Sequence, residues 1–283
     1  MLTRHFSTLA ARYDVVLSDV WGVTHNGITA TPEACDALMR FRAGGGTVIL
    51  ITNAPRRGEA VARQLVHFKV PSDVHDGIVS SGDVTCRLMQ ERAGQRVFHI
   101  GPERDLSIFE GVGTTFAPLE QADYVVCTGL FHDETETPDD YRGLIETMRA
   151  RALPMICGNP DLVVERGDTL VFCAGAIADL YAHAGGAVTY AGKPYRPIYD
   201  MALKEAARVR GRPADPKRVI AIGDSVRTDI MGAQAAGIDC VFVTDGIHAE
   251  ELGGRHHPKP EAVEKILSTV GTKPVAIMRR LAW

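Results

Sequence analysis

The stretch that decides the fold is Val15-Val16-Leu17-Ser18-Asp19-Val20-Trp21-Gly22-Val23-Thr24, an apolar run that leads into one carboxylate. A short, unbroken run of apolar and β-branched residues is typical of a buried strand in a parallel sheet. Ligands of open α/β sheets bind just beyond the carboxyl ends of such strands. The pattern therefore places Asp19 where chemistry is expected, although an Asp here could also open a turn or cap the next helix.

Strands and helices alternate along the rest of the chain. Apolar runs at 47–51 and 77–81 predict two more strands, and helices are predicted after Thr31-Pro32 and over about 58–68. After residue 187 the same pattern resumes, and Cys240-Val241-Phe242-Val243 is the last clear strand. This alternation predicts a doubly wound parallel sheet of the α/β class.

The middle of the chain contains enough apolar segments for a second, smaller sheet. Strands are predicted at 97–100, 123–127 and 154–158, with helices at 138–151 and 175–184. We therefore predict a core domain formed by residues 1–93 and 187–283, and an inserted α/β domain formed by residues 94–186.

Composition narrows the class of partner and the compartment. The chain has 283 residues, is 45% hydrophobic and carries a net charge of −4, so nucleic acid and anionic membranes are not expected as partners. The first residues lack the apolar segment of a secretory signal. Six cysteines without C-x-x-C spacing predict buried thiols in a cytoplasmic protein.

Four predicted core strands end in residues that can handle phosphate. These residues are Asp19, Thr52-Asn53, Lys193, and Asp224 with Asp229. Because the carboxyl ends of parallel strands share one edge, the side chains are expected to converge there. A carboxylate can accept a phosphoryl group, further carboxylates can hold Mg²⁺, and a hydroxyl, helix-start amides and a lysine can bind the phosphoryl oxygens.

Each of these signals has a structural alternative. Thr52-Asn53 is a common helix cap, Lys193 before Pro194 is a common surface lysine, and Asp224 could cap the following helix. The occurrence of all four signals in this order, each at the end of a strand, favours a functional site.

The motifs resemble those of the haloacid dehalogenase superfamily, subfamily IIA, the NagD-like class. The matching segments are Asp19-Val20-Trp21-Gly22-Val23, Ile51-Thr52-Asn53, Gly192-Lys193-Pro194, Gly223-Asp224-Ser225-Val226-Arg227-Thr228-Asp229, Gly158-Asn159-Pro160-Asp161 and Ala174-Gly175-Ala176-Ile177. The resemblance spans about residues 14–246. It implies a Rossmann-like core with a C2-type cap inserted after the third strand. It also implies magnesium-dependent hydrolysis of a small phosphorylated metabolite, such as a sugar phosphate or nucleotide, through an aspartyl phosphate on Asp19.

The resemblance also implies roles for individual residues. The catalytic positions are those of Asp19, Thr52, Lys193 and Asp229. The magnesium ligands are Asp19, Asp224 and the backbone carbonyl of Trp21. Substrate binding is implied for Thr52, Asn53, Asn159, Asp161 and Lys193. Specificity is expected to come from the inserted domain, where Asn159-Pro160-Asp161 could equally be a simple turn and Glu165 and Arg166 are predicted in a polar loop.

The chain departs from the family at Trp21, where the family motif Asp-x-Asp has its second Asp. In the family that Asp protonates the leaving group and then activates water, a contribution worth about 10²–10⁴-fold. An indole offers only an N–H donor and cannot supply it. His25 could replace the missing acid, or could be an exposed turn residue beside Asn26-Gly27.

Two further possibilities follow from the change at Trp21. The leaving group could be good enough to depart without an acid, which leaves slow phosphatase activity. Alternatively, the protein could be a non-catalytic binder of a phosphorylated metabolite. A homodimer is a possible assembly, His256-His257 could bind a metal or lie in an exposed loop, and residues 278–283 could pack on the core or on a partner chain.

Overall fold

The computed structural model describes residues 3, 5–166, 169–254, 257–271 and 273–283. The strands are β1 (Val15–Asp19), β2 (Thr47–Thr52), β3 (Gly77–Ser80), β4 (Arg96–Ile100), β5 (Thr115–Phe116), β6 (Tyr124–Cys127), β7 (Met155–Cys157), β8 (Val163–Arg166), β9 (Thr169–Phe172), β10 (Val188–Tyr190), β11 (Val219–Gly223), β12 (Asp239–Val243) and β13 (Ala276–Met278).

The α-helices are α1 (Ser7–Ala10), α2 (Pro32–Ala43), α3 (Gly58–His67), α4 (Ser81–Gln90), α5 (Arg142–Ala150), α6 (Ala174–His183), α7 (Arg196–Arg210), α8 (Met231–Ala236) and α9 (Pro260–Ser268). Short 3₁₀ helices cover Ser72–Val74, Glu103–Phe109, Leu119–Gln121, Pro138–Tyr141 and Pro216–Arg218, and a π-helical turn covers Val226–Ile230. No helix in the described part of the chain combines the length and apolar character needed to cross a membrane.

The chain divides into two compact units. The first contains Met1–Thr52, Glu59–Val79 and Lys193–Trp283, and the second contains Asn53–Gly58 and Ser80–Gly192. The first unit is built on a six-stranded sheet with the order β13-β12-β11-β1-β2-β3. In this sheet β1 pairs in parallel with both β2 and β11, and all residues of these three strands are buried. The predicted parallel α/β sheet is therefore confirmed, with β1 near its centre.

The helices of the first unit follow the start and stop signals in the sequence. Helix α2 begins at Pro32, directly after Thr31, because the proline ring suits the first helical position. It buries Leu38 and Phe41, and Gly44 forms its carboxyl-terminal cap. Burial of this apolar stripe against the sheet gives most of the stability of such a helix.

The second unit has a five-stranded sheet with the order β10-β7-β6-β4-β5, in which all the pairings are parallel, and a β8–β9 hairpin. Its extent differs from the predicted 94–186 at both ends. Cys86 and Met89 of α4 lie in an apolar cluster with Tyr124 and Val126 of β6, so α4 belongs to this unit. Strand β10, predicted as part of the core, instead pairs with β7.

The six cysteines are all buried, and they contribute to packing. Cys127 at the end of β6 is an example, because burial raises the pKa of its thiol to about 12. A thiol with so high a pKa is a poor nucleophile at neutral pH.

The carboxyl terminus packs on the first unit. Strand β13, which is too short for the sequence pattern to reveal, pairs in parallel with β12. Beyond it, Leu281 is only 1% exposed, the Trp283 ring centroid lies 6.3 Å from that of Phe6, and the Phe6 N–H donates to the Ala282 carbonyl at 2.7 Å. Residues 278–283 were predicted to pack either on the core or on a partner chain, and in the structure they pack on the core.

Replacement of Leu281 by Ala should destabilise the first unit, because it removes a fully buried side chain from the tail contact. The expected loss in unfolding free energy is about 2–5 kcal/mol. Val66→Ala on α3 is the control, since Val66 is 70% exposed and its truncation should cost less than about 0.5 kcal/mol. Urea denaturation would contradict the packing of the tail if both variants unfolded at the same midpoint.

Candidate active site

Asp19 is the last residue of β1 and lies at the carboxyl edge of the parallel sheet. Its register partner on β2 is Ile51, so Thr52 is the next residue of that neighbouring strand. On the other side β11 ends at Gly223, and Asp224 follows directly. Asp19, Thr52 and Asp224 are all buried. The register of the sheet therefore brings the three predicted site residues to the same edge.

Lys193 forms a buried double ion pair at this edge. Its Nζ lies 2.6 Å from Oδ1 of Asp19 and 2.6 Å from Oδ1 of Asp229, and the lysine is only 2% exposed. Burial alone would lower the pKa of Lys193, but the two adjacent carboxylates raise it well above its ordinary value. Lys193 is thus a fixed positive charge, and the surface-lysine alternative is wrong.

Negative charge exceeds positive charge in this cluster. One carboxylate oxygen from each of Asp19, Asp224 and Asp229 lies within 4.8 Å of the other two. Burial raises the pKa of Asp19 well above its usual range, and the neighbouring charge of Asp229 adds to this effect while Lys193 opposes it. Three carboxylates beside one ammonium group form a site that a divalent cation would stabilise.

Asp224 is held by backbone from two distant parts of the chain. The Ile247 N–H donates to its Oδ2 at 2.7 Å. A Cβ added to Gly246 would lie 1.9 Å from the same oxygen, and one added to Gly22 would lie 2.0 Å from it. Gly22 also has a φ of +82°, which favours glycine. Because carboxylate oxygens are hard ligands held here at close range, Asp19 and Asp224 fit Mg²⁺.

Asp229 lies in the π-helical turn that follows Asp224. Its Oδ1 accepts from Lys193, and its Oδ2 accepts from the Ser225 N–H at 3.1 Å. Both oxygens of Asp229 therefore act as hydrogen-bond acceptors. This arrangement fixes the position of the Lys193 ammonium group beside Asp19.

Trp21 occupies the loop after β1 and is partly exposed. Its indole makes an edge contact with the imidazole of His25, with ring centroids 5.2 Å apart, and packs on Gly27. The His25 ring in turn lies 4.6 Å from that of Phe68. The indole is therefore supported by a row of aromatic rings.

His25 is a buried part of this loop, so its prediction as an exposed turn residue is wrong. It is 3% exposed, and its Nδ1 accepts from the Gly27 N–H at 2.9 Å. Burial lowers the pKa of His25 to about 4. The imidazole is consequently neutral near pH 7, which makes it a poor replacement for the missing general acid.

The second unit brings three of the predicted substrate-binding residues together. Asn53 Nδ2 donates to Asp161 Oδ1 at 3.0 Å, and the Asp161 N–H donates to Asn159 Oδ1 at 3.1 Å. The second contact is a local Asx turn, as the turn alternative predicted. The role of these residues in substrate binding stays a prediction.

Two other predictions concern loops. Glu165 and Arg166 belong to β8 and not to a loop, because residues Val163–Arg166 pair with β9; their side chains lie outside the described residues. His256 also lies outside the described residues, and His257 is exposed.

Sequence reasoning missed the loop that follows β12. Ile247 supplies the backbone donor to Asp224, and the adjacent His248 accepts at Nε2 from the Val226 N–H at 3.2 Å. His248 Nδ1 lies 3.1 Å from Oε2 of Glu251. A backbone donor has no side-chain signature, although Thr244-Asp245-Gly246 after a strand was an available signal.

Comparison with known proteins places the chain in a family. Sequence profiles described as haloacid dehalogenase-like hydrolase and HAD-hydrolase-like match residues 16–115 and 190–270. A crystal structure of a haloacid dehalogenase-like hydrolase from Brucella suis 1330 is 42% identical, covers 99% of this chain and 100% of its own, and superposes with a TM-score of 0.88. The chain belongs to the haloacid dehalogenase-like hydrolase family.

Within this family of haloacid dehalogenase-like hydrolases the chain is NagD-like. It is 28% identical to 5'-nucleotidase YutF of Bacillus subtilis over 84% of this chain and 90% of that protein. It is 25% identical to ribonucleotide monophosphatase NagD of Escherichia coli over 82% of this chain and 88% of that protein. The predicted subfamily is therefore confirmed.

Replacement of Gly246 by Ala should weaken Mg²⁺ binding about 10-fold or more, because the new methyl group would displace Asp224. Calorimetric titration with Mg²⁺ measures the effect. Gly143→Ala in α5 is the control, since a Cβ there would meet nothing within 4 Å. Equal Mg²⁺ affinity in Gly246→Ala and the wild type would mean that Asp224 does not hold the cation.

Proposed function

We propose that the chain hydrolyses phosphate monoesters through an aspartyl phosphate on Asp19. The observation that carries this proposal is the buried cluster in which Lys193 bridges Asp19 and Asp229 beside Asp224. A carboxylate at a strand end, with a fixed cation beside it and a second carboxylate for a metal, is suited to phosphoryl transfer.

The reaction has two steps. A carboxylate oxygen of Asp19 bonds to phosphorus while the bond from phosphorus to the leaving oxygen breaks, and the leaving oxygen keeps the electron pair and takes a proton from water. The oxygen of a water molecule then bonds to the phosphorus of the acyl phosphate while the bond from phosphorus to the Asp19 oxygen breaks, so that Asp19 leaves as its carboxylate. The attacking water gives up one proton, which neutralises the hydroxide left by the first step, and phosphate is released. The Lys193 ammonium group and the Thr52 hydroxyl would bind the phosphoryl oxygens as charge develops on them.

Magnesium fits the site as a cofactor. Asp19, Asp224 and the backbone carbonyl of Trp21 would hold it, and the ion would supply positive charge near the phosphoryl oxygens. Asp229 has a different task in this proposal. It keeps Lys193 charged and in place, as its short contact with Nζ indicates.

Small phosphorylated metabolites are the proposed substrates. The activities named for the relatives, a 5'-nucleotidase and a ribonucleotide monophosphatase, support nucleotides or similar compounds such as sugar phosphates. Asn53, Asn159 and Asp161 are proposed to take part in substrate binding. The cytoplasmic location and the homodimer stay predictions.

Trp21 favours a second candidate function. With an indole in place of the second Asp, and His25 neutral and buried, neither residue can protonate a leaving group. Turnover is then slow, or absent. If turnover is absent, the protein would bind a phosphorylated metabolite through the same charged cluster without hydrolysing it.

Replacement of Asp19 by Asn should lower phosphatase activity at least about 10³-fold, because the amide cannot act as the nucleophile. Steady-state assays with Mg²⁺ and a panel of phosphate esters, repeated after chelation with EDTA, measure this. Asp36→Asn is the matched control, since Asp36 pairs with Arg40 on the surface of α2. Tight metabolite binding by a wild type that shows no turnover would favour the binding protein.

Replacement of Trp21 by Asp should restore acid–base catalysis and speed the hydrolysis of alkyl phosphates about 10²-fold. Aryl phosphates should gain much less, because a phenolate departs without a proton donor. The measurement is kcat/KM over esters that differ in leaving-group pKa, with Trp21→Phe as the control that adds no acid. If the wild type already showed as weak a dependence on leaving-group pKa as Trp21→Asp, its site would already contain an acid; an equally steep dependence in both would mean that Asp at position 21 does not act as one.

A further inference from the structure

We propose that His248 is a positioning residue for the Mg²⁺ ligand Asp224, and that Glu251 fixes its tautomer. This inference rests on the proposed function, because it concerns the metal site of that reaction. It starts from two segments that meet at Asp224: residues 224–226 after β11, and residues 246–248 after β12.

The two segments are joined by a reciprocal pair of hydrogen bonds. From the second segment, the Ile247 N–H donates to Asp224 Oδ2 at 2.7 Å. From the first, the Val226 N–H donates to His248 Nε2 at 3.2 Å. Ile247 and His248 are adjacent in the sequence. The His248 hydrogen bond therefore holds in place the same segment whose Ile247 amide binds Asp224. Loss of the His248 contact would let the Ile247 amide and the Asp224 carboxylate move apart.

The direction of the Val226 hydrogen bond defines the tautomer of the His248 ring. An imidazole nitrogen that accepts from an amide carries no proton, so in this contact the ring proton lies on Nδ1. Nδ1 is 3.1 Å from Oε2 of Glu251, which can accept that proton's hydrogen bond. The Glu251 carboxylate thus favours the tautomer of His248 whose Nε2 can accept a hydrogen bond from the Val226 N–H.

Steric contact makes the position of the second segment important. Gly246 approaches Asp224 so closely that an added Cβ would lie 1.9 Å from Oδ2. The imidazole of His248 also packs against Phe242 of β12, with ring centroids 6.4 Å apart. The loop after β12 therefore packs against Phe242 of the sheet on one side and against the Asp224 carboxylate on the other. Residues that orient a metal ligand in this way typically contribute 10–100-fold to affinity.

The test compares Mg²⁺ affinity in His248→Ala and His248→Gln by calorimetric titration of the full chain. His248→Ala should weaken Mg²⁺ binding about 10-fold. His248→Gln should restore most of that affinity, since its amide oxygen can accept from Val226 near the position of Nε2. Glu250→Gln, an exposed neighbour, is the matched control and should bind as the wild type does.

A second readout begins with the wild type, in which no substitution can cause misfolding. The ¹⁵N chemical shifts of His248 should report a proton on Nδ1 and none on Nε2, and Glu251→Gln should then reduce the population of that tautomer. A ring protonated at Nε2 would overturn the inference, and so would equal Mg²⁺ affinity in His248→Ala and the wild type. A wild type that binds no Mg²⁺ would instead refute the proposed metal site, and the tautomer would still decide whether His248 holds Val226.

Discussion

The site depends on the placement of one buried ammonium group between two buried carboxylates. An isolated buried charge costs several kcal/mol, so Asp19, Asp229 and Lys193 are tolerable in the core only together. With Asp224 the cluster contains three carboxylates and one ammonium group, so it keeps an excess of negative charge. The same imbalance that makes the cluster costly to bury is what the proposed divalent cation would relieve, and the added positive charge would then favour an anionic phosphoryl group.

The position of Asp224 depends on the carboxyl edge of the sheet and also on β13 and the residues that follow it. The Thr244 N–H donates to the Met278 carbonyl and the Asp245 N–H to the Arg279 carbonyl, each at 2.9 Å. These bonds tie the residues that precede Gly246 to the carboxyl-terminal segment. Since Gly246 is in close contact with Asp224, the packing of the tail and the position of Asp224, the proposed metal ligand, depend on each other.

The pattern of apolar and polar residues in the sequence predicted the features that follow from strand periodicity. Continuous apolar runs identified the buried strands, and the common edge of parallel strands brought Asp19 and Asp224 together as expected. Pattern does not reveal the partner of a strand, which is why β10 was assigned to the wrong sheet. It also gives no signal for a backbone donor such as Ile247, and a histidine beside Asn-Gly looks exposed although His25 is buried by tertiary contacts.

The change at Trp21 separates two tasks that the site must perform. Asp19 and Asp229 compensate the charge of Lys193, and the proposed cation ligands are Asp19, Asp224 and the backbone carbonyl of Trp21, so neither task requires the indole side chain. In the proposed reaction, proton transfer to the leaving group would depend on the position that Trp21 fills, and His25 beside it stays neutral near pH 7. A phosphatase limited by its leaving group and a binding protein would therefore share the same electrostatics. The difference between them lies in whether a water molecule can supply the proton that the side chain at this position does not.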